Sequence, residues 1–145
     1  MNGDRVFVDT NVLVYAHDLD SGEKHRVARE LLIDIWNHRA GVLSVQVLQE
    51  CYVTLTRKIS YPLSPATVRS ILQDYLSWQV ELIDPASVLT ASRIEEECQI
   101  SFWDALIVTA ALKGKALKIL TEDLQSGQVI EGVMIENPFR VVSEG

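Results

Sequence analysis

The run Val6-Phe7-Val8-Asp9-Thr10-Asn11-Val12-Leu13-Val14-Tyr15 decides how the rest of the chain is read. Three apolar, β-favouring residues lead straight into three residue types that cap helices, and apolar residues resume at once. That order predicts a buried strand, a sharp turn and a helix. Downstream, Val27, Leu31 and Ile35 recur every four residues beside Ala28, Leu32 and Trp36, which predicts an amphipathic helix over about 24–37. Gly41-Val42-Leu43 reads as a second short strand, and Ser44 can cap a helix running to Lys58 with Leu48, Cys51, Tyr52 and Leu55 as its apolar stripe. Ser60-Tyr61-Pro62-Leu63-Ser64-Pro65 is a break, and Pro65 suits the first position of a helix carrying Val68, Ile71, Leu72, Tyr75 and Leu76. Further strands are expected at 80–83, 118–120 and 133–135, and further helices at 85–98 and 101–113. The alternation implies an α/β protein with a parallel sheet of four to five strands covered on both faces. With no linker, repeat or low-complexity tract, one domain spanning 1–145 is expected.

A chain of 145 residues buries roughly two-thirds of the surface its unfolded form exposes, enough for a core without staples. Cys51 and Cys98 lie in helical patterns and read as small buried hydrophobes, which fits a reducing cytoplasm. Met1-Asn2-Gly3-Asp4-Arg5 has no basic segment followed by an apolar one, and no apolar run approaches the roughly 18 residues of a membrane span. A soluble, cytoplasmic protein with no membrane association is therefore expected. The formal charge of −7 argues against a non-specific grip on nucleic acid, which comes from Lys and Arg neutralising phosphates. Any nucleic-acid chemistry must rely on a local basic strip or a bound metal.

Four acids stand where strand ends and helix starts would bring them together: Asp9, Glu50, Asp104 and Asp123. In an open α/β sheet, ligands collect beyond the carboxyl ends of the strands, where the winding reverses. Asp9 and Asp123 follow two such ends, Glu50 is in the second turn of the helix leaving the second strand, and Asp104 is in the first turn of the helix preceding the fourth. Asp104 also interrupts the apolar stretch Phe102 to Leu112, and an unpaired carboxylate in a buried helix costs several kcal/mol unless a cation or donors compensate it. Oxygen ligands without a Lys or Arg in the same motifs suit a hard divalent cation, Mg²⁺ or Mn²⁺. Each acid also has an ordinary explanation. Asp9 can be an N-cap, Glu50 can lie on a solvated face, Asp123 can be a turn residue, and Ser101 to Asp104 has capping-box spacing. The conjunction favours a site, with Thr10, Asn11, Ser44 and Thr121 as small polar neighbours.

Arg26, Arg29, Arg57 and Lys58 could form a basic strip for RNA beside that site, although exposed helix faces, and a helix C-terminus for Arg57 and Lys58, are the stronger explanation. His17, His25 and His38 lack spaced partners and read as surface or half-buried residues. Trp36, Trp78 and Trp103 fall in or beside apolar stripes and read as core or interface rather than stacking platforms.

Taken in order, Val6 to Tyr15, Ser44 to Glu50, Phe102-Trp103-Asp104-Ala105-Leu106-Ile107 and Leu120-Thr121-Glu122-Asp123-Leu124-Gln125 resemble the successive motifs of PIN-domain ribonucleases, in particular the VapC toxins of toxin-antitoxin pairs. The similarity spans almost the whole chain. Gln125 and Gly127 stand where many relatives have an aspartate-phenylalanine pair, a variant that touches none of the acids. The resemblance implies a three-layer α/β/α sandwich, and an endoribonuclease whose Asp9, Glu50, Asp104 and Asp123 hold one or two Mg²⁺ or Mn²⁺ ions. Thr10, Asn11 and Thr121 would then fix the ligands by hydrogen bonds. A homodimer neutralised by a small antitoxin is implied too, with the apolar positions of the Val27 to Trp36 and Val68 to Trp78 helices as candidate contact surface.

Other classes compete. A strand ending in aspartate is similar to haloacid dehalogenase-type phosphatases, but those carry a second aspartate two residues on, where this chain has Asn11. A PIN-type nuclease acting in RNA processing or on DNA, and a non-catalytic binding module of the same fold, are the remaining alternatives.

Overall fold

The computed structural model describes residues 4–140; Met1 to Gly3 of the opening segment and residues 141–145 lie outside it. The segment that decides the fold supplies its centre. Strand β1 (Arg5–Val8) occupies an interior position in a six-stranded sheet of order β3-β2-β1-β4-β6-β5. A strand flanked on both sides and covered on both faces has no solvent-facing positions, which is why Val6, Phe7 and Val8 are all apolar and all buried. From β1 the chain winds outward through α1 (Thr10–His17), a 3-10 turn at Leu19–Ser21 and α2 (Glu23–Asn37) to β2 (Gly41–Ser44), then through α3 (Val45–Arg57) and α4 (Pro65–Tyr75) to β3 (Gln79–Glu81). It returns through α5 (Pro85–Cys98) and α6 (Phe102–Lys113) to place β4 (Ala116–Leu120) on the other side of β1. The winding direction reverses between β1 and β4. Phe7 pairs with Val42 on one side and Ile119 on the other, all parallel.

Capping residues set the helix starts. The side chains of Ser44, Ser64, Asp84 and Ser101 each accept a backbone N–H of the first turn, and Pro65 and Pro85 sit at the first helical positions, where no N–H is needed. Helix α6 is apolar on every side and Ala105 to Ala111 are buried, as befits a helix covered both by the sheet (β2, β4 and β6) and by α5. Helices α2, α3 and α4 turn one stripe inward, through Ala28, Leu32 and Ile35, through Val47, Cys51 and Leu55, and through Val68 and Tyr75.

The sheet has six strands rather than four or five, and its edge is not parallel. Strand β5 (Val129–Ile130) pairs antiparallel with β6 (Val133–Glu136). Two residues are too few to show a period, and the connecting Glu131-Gly132, with φ of 53° and 87°, makes a tight reversal without the usual Asn-Gly signature. The expected stripes of α2 and α4 are largely core, leaving Ile33 and Trp36 on α2 and Leu76 beyond α4 as the exposed apolar residues there. Trp36, Tyr75 and Trp78 form one aromatic cluster with ring centroids 5.1 to 5.4 Å apart, and Gly41 gives Trp78 room: a Cβ there would lie 2.2 Å from the indole. Cys51 is buried and Cys98 half-buried, both unpaired. No helix among the described residues is long and apolar enough to cross a membrane.

Candidate active site

Strand β1 delivers Asp9 to the reversal point between β1 and β4, where its backbone N–H donates to the Leu120 carbonyl (3.0 Å). Its side chain caps α1, Oδ1 accepting from the Thr10 N–H at 2.7 Å and Oδ2 from the Thr121 hydroxyl at 2.8 Å. Only 5% of the residue is exposed. Burial, and then the facing carboxylates of Asp123 and Glu50, push the Asp9 carboxyl from its ordinary 3.8 up to about 6, against the hydrogen bonds from Thr121 and Thr10 that hold it down.

Thr121, fully buried just past β4, fixes this acid. Its hydroxyl donates to Asp9, and accepts from the Asp123 N–H at 3.1 Å and the Asn11 side-chain amide at 3.4 Å. The one donor and both acceptor positions of a hydroxyl are thereby used, so its proton can point only at Asp9. The Asn11 carbonyl accepts in turn from the Glu122 N–H at 3.4 Å. Across the crevice, α3 presents Glu50, whose oxygens accept from the Thr10 hydroxyl at 2.7 Å and the Gln46 amide at 3.2 Å. Asp104 enters from the first turn of α6, behind the Ser101 cap. It is half-buried rather than sunk in the apolar body of the helix, because the N-terminal turn projects past the sheet. There the helix dipole favours a negative charge, while burial first, and then Asp123 and Glu50, raise its pKa.

All four acids line one crevice of about 490 Å³, together with Thr10, Asn11, Gln46, Lys58 and Trp103. Asp123 and Glu50 are the carboxylates that raise both Asp9 and Asp104, and neither Asp9 nor Asp104 forms an ion pair among the described residues. Among the described residues, no three acid, histidine or cysteine side chains stand close enough to grip a metal as they are. The donor chemistry nevertheless fits a hard divalent cation: oxygen ligands only, like charges facing one another, and one of them driven toward its neutral form by burial and then by the acids it faces.

Of the four basic residues expected beside the site, Lys58 lines the crevice. Arg26 is tied to Glu23 (2.7 Å) and Glu30 (3.1 Å) on its own helix, Arg29 lines a separate cavity with His17, Trp36 and Tyr75, and Arg57 is exposed at the end of α3 without lining the crevice. The histidines lie away from it: His17 hydrogen-bonds the Tyr75 hydroxyl (2.8 Å), His25 the Tyr15 carbonyl and His38 the Asp34 carbonyl. Asp18, Gln46 and Trp103 line the crevice and escape a sequence reading, Asp18 as the cap of the 3-10 turn after α1. Gln46 precedes Glu50 by one helical turn, and its Oε1 is a buried polar atom with no partner. Trp103 is 64% exposed on the crevice wall and not part of the core, because the first turn of α6 points it away from the face that Phe102 buries.

An open, mostly parallel sheet with an acid-lined crevice at its reversal point defines an α/β domain built to carry its chemistry between β1 and β4. The model of the PIN-domain family matches residues 6–129, and the chain belongs to that family. A toxin-antitoxin complex from Klebsiella pneumoniae superposes with a TM-score of 0.67 at 19% identity, covering 92% of this chain and 97% of that one. The Mycobacterium tuberculosis VapC20, a sarcin-ricin loop cleaving toxin, gives 0.60 at 19% identity over 81% and 91%. DNA-bound VapBC from Salmonella typhimurium gives 0.65 at 17% identity over 93% and 98%. At such identities the likeness is one of fold. No curated protein sequence matches the chain.

Proposed function

We propose that this protein is a metal-dependent endoribonuclease that hydrolyses RNA phosphodiester bonds, and that it is the toxin of a toxin-antitoxin pair. The observation that carries the proposal is Asp9: a buried carboxylate held by Thr121, facing the carboxylates of Asp123 and Glu50 and making no ion pair among the described residues. When bound, one or two Mg²⁺ or Mn²⁺ ions would supply positive charge to the phosphodiester and acidify a water. Asp9 and Asp104 are the principal ligands, and Asp123 the third acid on that side. Thr121 keeps Asp9 oriented, since its hydroxyl has no other direction in which to donate. Glu50 keeps a lone-pair site on each oxygen beyond those used by Thr10 and Gln46, enough to hold a metal or to orient an attacking water. The protein therefore needs no nucleophile of its own; the residues that α1, α3 and α6 present to the crevice position the reacting groups.

Toxin-antitoxin assemblies among the structural neighbours support a small antitoxin as partner, and Ile33, Trp36 and Leu76 supply exposed apolar surface for it or for a second copy of the chain. The deciding experiment is incubation of purified protein with total RNA in Mg²⁺, Mn²⁺ or chelator, with mapping of new 5′ ends. Cleavage in metal that is abolished by chelator and by Asp104→Asn is expected; metal-independent cleavage, or none, rejects the proposal. Growth arrest on expression, relieved by the adjoining gene, tests the toxin assignment, and sedimentation at micromolar concentration tests the homodimer.

A further inference from the structure

Trp103 has no structural reason to be a tryptophan. It is 64% exposed, and among the described residues its ring touches one other ring, that of Phe102, at 5.5 Å between centroids. Phe102 packs against the core; Trp103 does not belong to it. An indole with most of its surface in water forgoes the burial that makes it valuable elsewhere. What it does touch is the crevice, in the position next to Asp104 along α6. Lys58 lines the same crevice and also the adjoining groove formed by Thr10, Gln49, Glu50, Val53 and Thr54. Lys58 has no carboxylate partner among the described residues, whereas Lys24, Lys113 and Lys118 each have one.

We propose that Trp103 is a stacking platform for the base of the nucleotide adjoining the scissile phosphate, with Lys58 taking a neighbouring phosphate, so that the crevice selects a nucleotide whose base is unpaired. The assignment rests on the RNA hydrolysis proposed above. Three chemically different walls meet in one cavity: acids for the reacting phosphate and its cation, an ammonium for a second phosphate, and an aromatic face for a base. A nucleotide presents complements to all three, and a base face is free to stack only when its strand is not in a duplex. The net charge of −7 leaves little general attraction for RNA, which raises the relative importance of such a contact.

The test uses short RNA oligonucleotides carrying the mapped cut site, each with one abasic ribose at a flanking position. Removing the stacked base should lower kcat/KM for the wild-type protein by about tenfold or more. Trp103→Ala should lose a similar factor on intact RNA and no further factor on that abasic RNA, while Trp103→Phe keeps most activity. An activity-independent arm measures binding of the same oligonucleotides to Asp9→Asn, with and without Trp103→Ala, by fluorescence anisotropy; the same non-additive pattern is expected, and duplex RNA should bind more weakly. Unchanged kcat/KM and affinity in Trp103→Ala, or losses that simply multiply, overturn the stacking role. Loss of self-association or of antitoxin binding with cleavage intact would place the ring in a protein interface and equally overturn it. A wild-type protein that cuts no RNA sinks the proposed function; binding of single-stranded, abasic and duplex oligonucleotides of mixed sequence to Asp9→Asn, with and without Trp103→Ala, then decides on Trp103. Thermal unfolding of Trp103→Ala close to wild type excludes misfolding, as expected for a side chain outside the core.

Discussion

Replacing Asp9 by asparagine should end activity and yet stabilise the metal-free protein, and burial sets the size of the gain. With the Asp9 carboxyl pushed from 3.8 to about 6, keeping it ionised at pH 8 costs the folded state about 3 kcal/mol, at 1.36 kcal/mol per pH unit. Asparagine removes that cost but keeps one hydrogen bond of two. Its carbonyl can accept from the Thr10 N–H, and its NH₂ then meets the Thr121 hydroxyl, whose proton points at it. Losing one such bond costs about 1–1.5 kcal/mol, which leaves a net gain of about 1.5–2 kcal/mol. For a chain of this length that is about 5 °C in Tm. The sign depends on pH. The folded pKa lies above the unfolded one, so the wild-type protein takes up a proton more readily when folded and recovers stability as pH falls from above 6 toward 3.8. An amide has no proton to take up over that range, and by pH 4 the variant's advantage should have become a small deficit. Denaturation with chelator at pH 8 and pH 4 reads both values. Destabilisation of equal size at the two pH values would refute the reasoning, because it would mean that Asp9 carries no electrostatic penalty.

Thr121→Val, nearly isosteric, removes the donor to an ionised carboxylate and should cost about 2 kcal/mol at pH 8, with a smaller loss at pH 4 where Asp9 is neutral. Urea denaturation at both pH values measures it, and equal losses would count against the orienting bond. Mn²⁺ at about 100 times its dissociation constant should stabilise the wild-type protein by about 2.7 kcal/mol and do nothing for Asp9→Asn, read as a Tm titration. Arg26→Ala and Arg29→Ala should cleave RNA as the wild-type protein does, since neither lines the crevice, whereas Lys58→Ala should raise KM; steady-state kinetics on one oligonucleotide compares all three.

Elements that declare themselves locally were readable in the chain. Val6-Phe7-Val8 running into Asp9-Thr10-Asn11 encodes strand, cap and helix within ten residues, and Ser44, Pro65 and Ser101 mark their helix starts by chemistry that depends on the backbone alone. The grouping of Asp9, Glu50, Asp104 and Asp123 around one crevice followed from strand alternation, because a reversal point gathers whatever lies past the strand ends. Features that depend on distant neighbours were not readable. Nothing in Val129-Ile130 signals a strand until β6 pairs with it, and nothing in the helical stripe of α2 shows that Arg29 lines a different cavity from Lys58 while Arg26 pairs with Glu23 and Glu30. Trp103 reads as core or interface because it borders an apolar run, yet the first turn of a helix aims successive residues in different directions, and Phe102 takes the inward one.

The hydrogen bond between Asp9 and Thr121 joins positions 112 residues apart. During synthesis, therefore, the first acid of the crevice leaves the ribosome long before the hydroxyl that orients it. Until β4 is made, β1 has β2 on one side and an open edge on the other, and Asp9 lacks both the Leu120 carbonyl that receives its N–H and the Thr121 proton. Asp104 is by then already part of α6, but without β4 that apolar helix lacks part of the sheet that covers it. A nascent or prematurely ended chain thus carries three of the four acids in order of synthesis and has no assembled crevice. The winding of the sheet acts as a timer, holding back the acid-lined crevice until the chain has been made through Thr121.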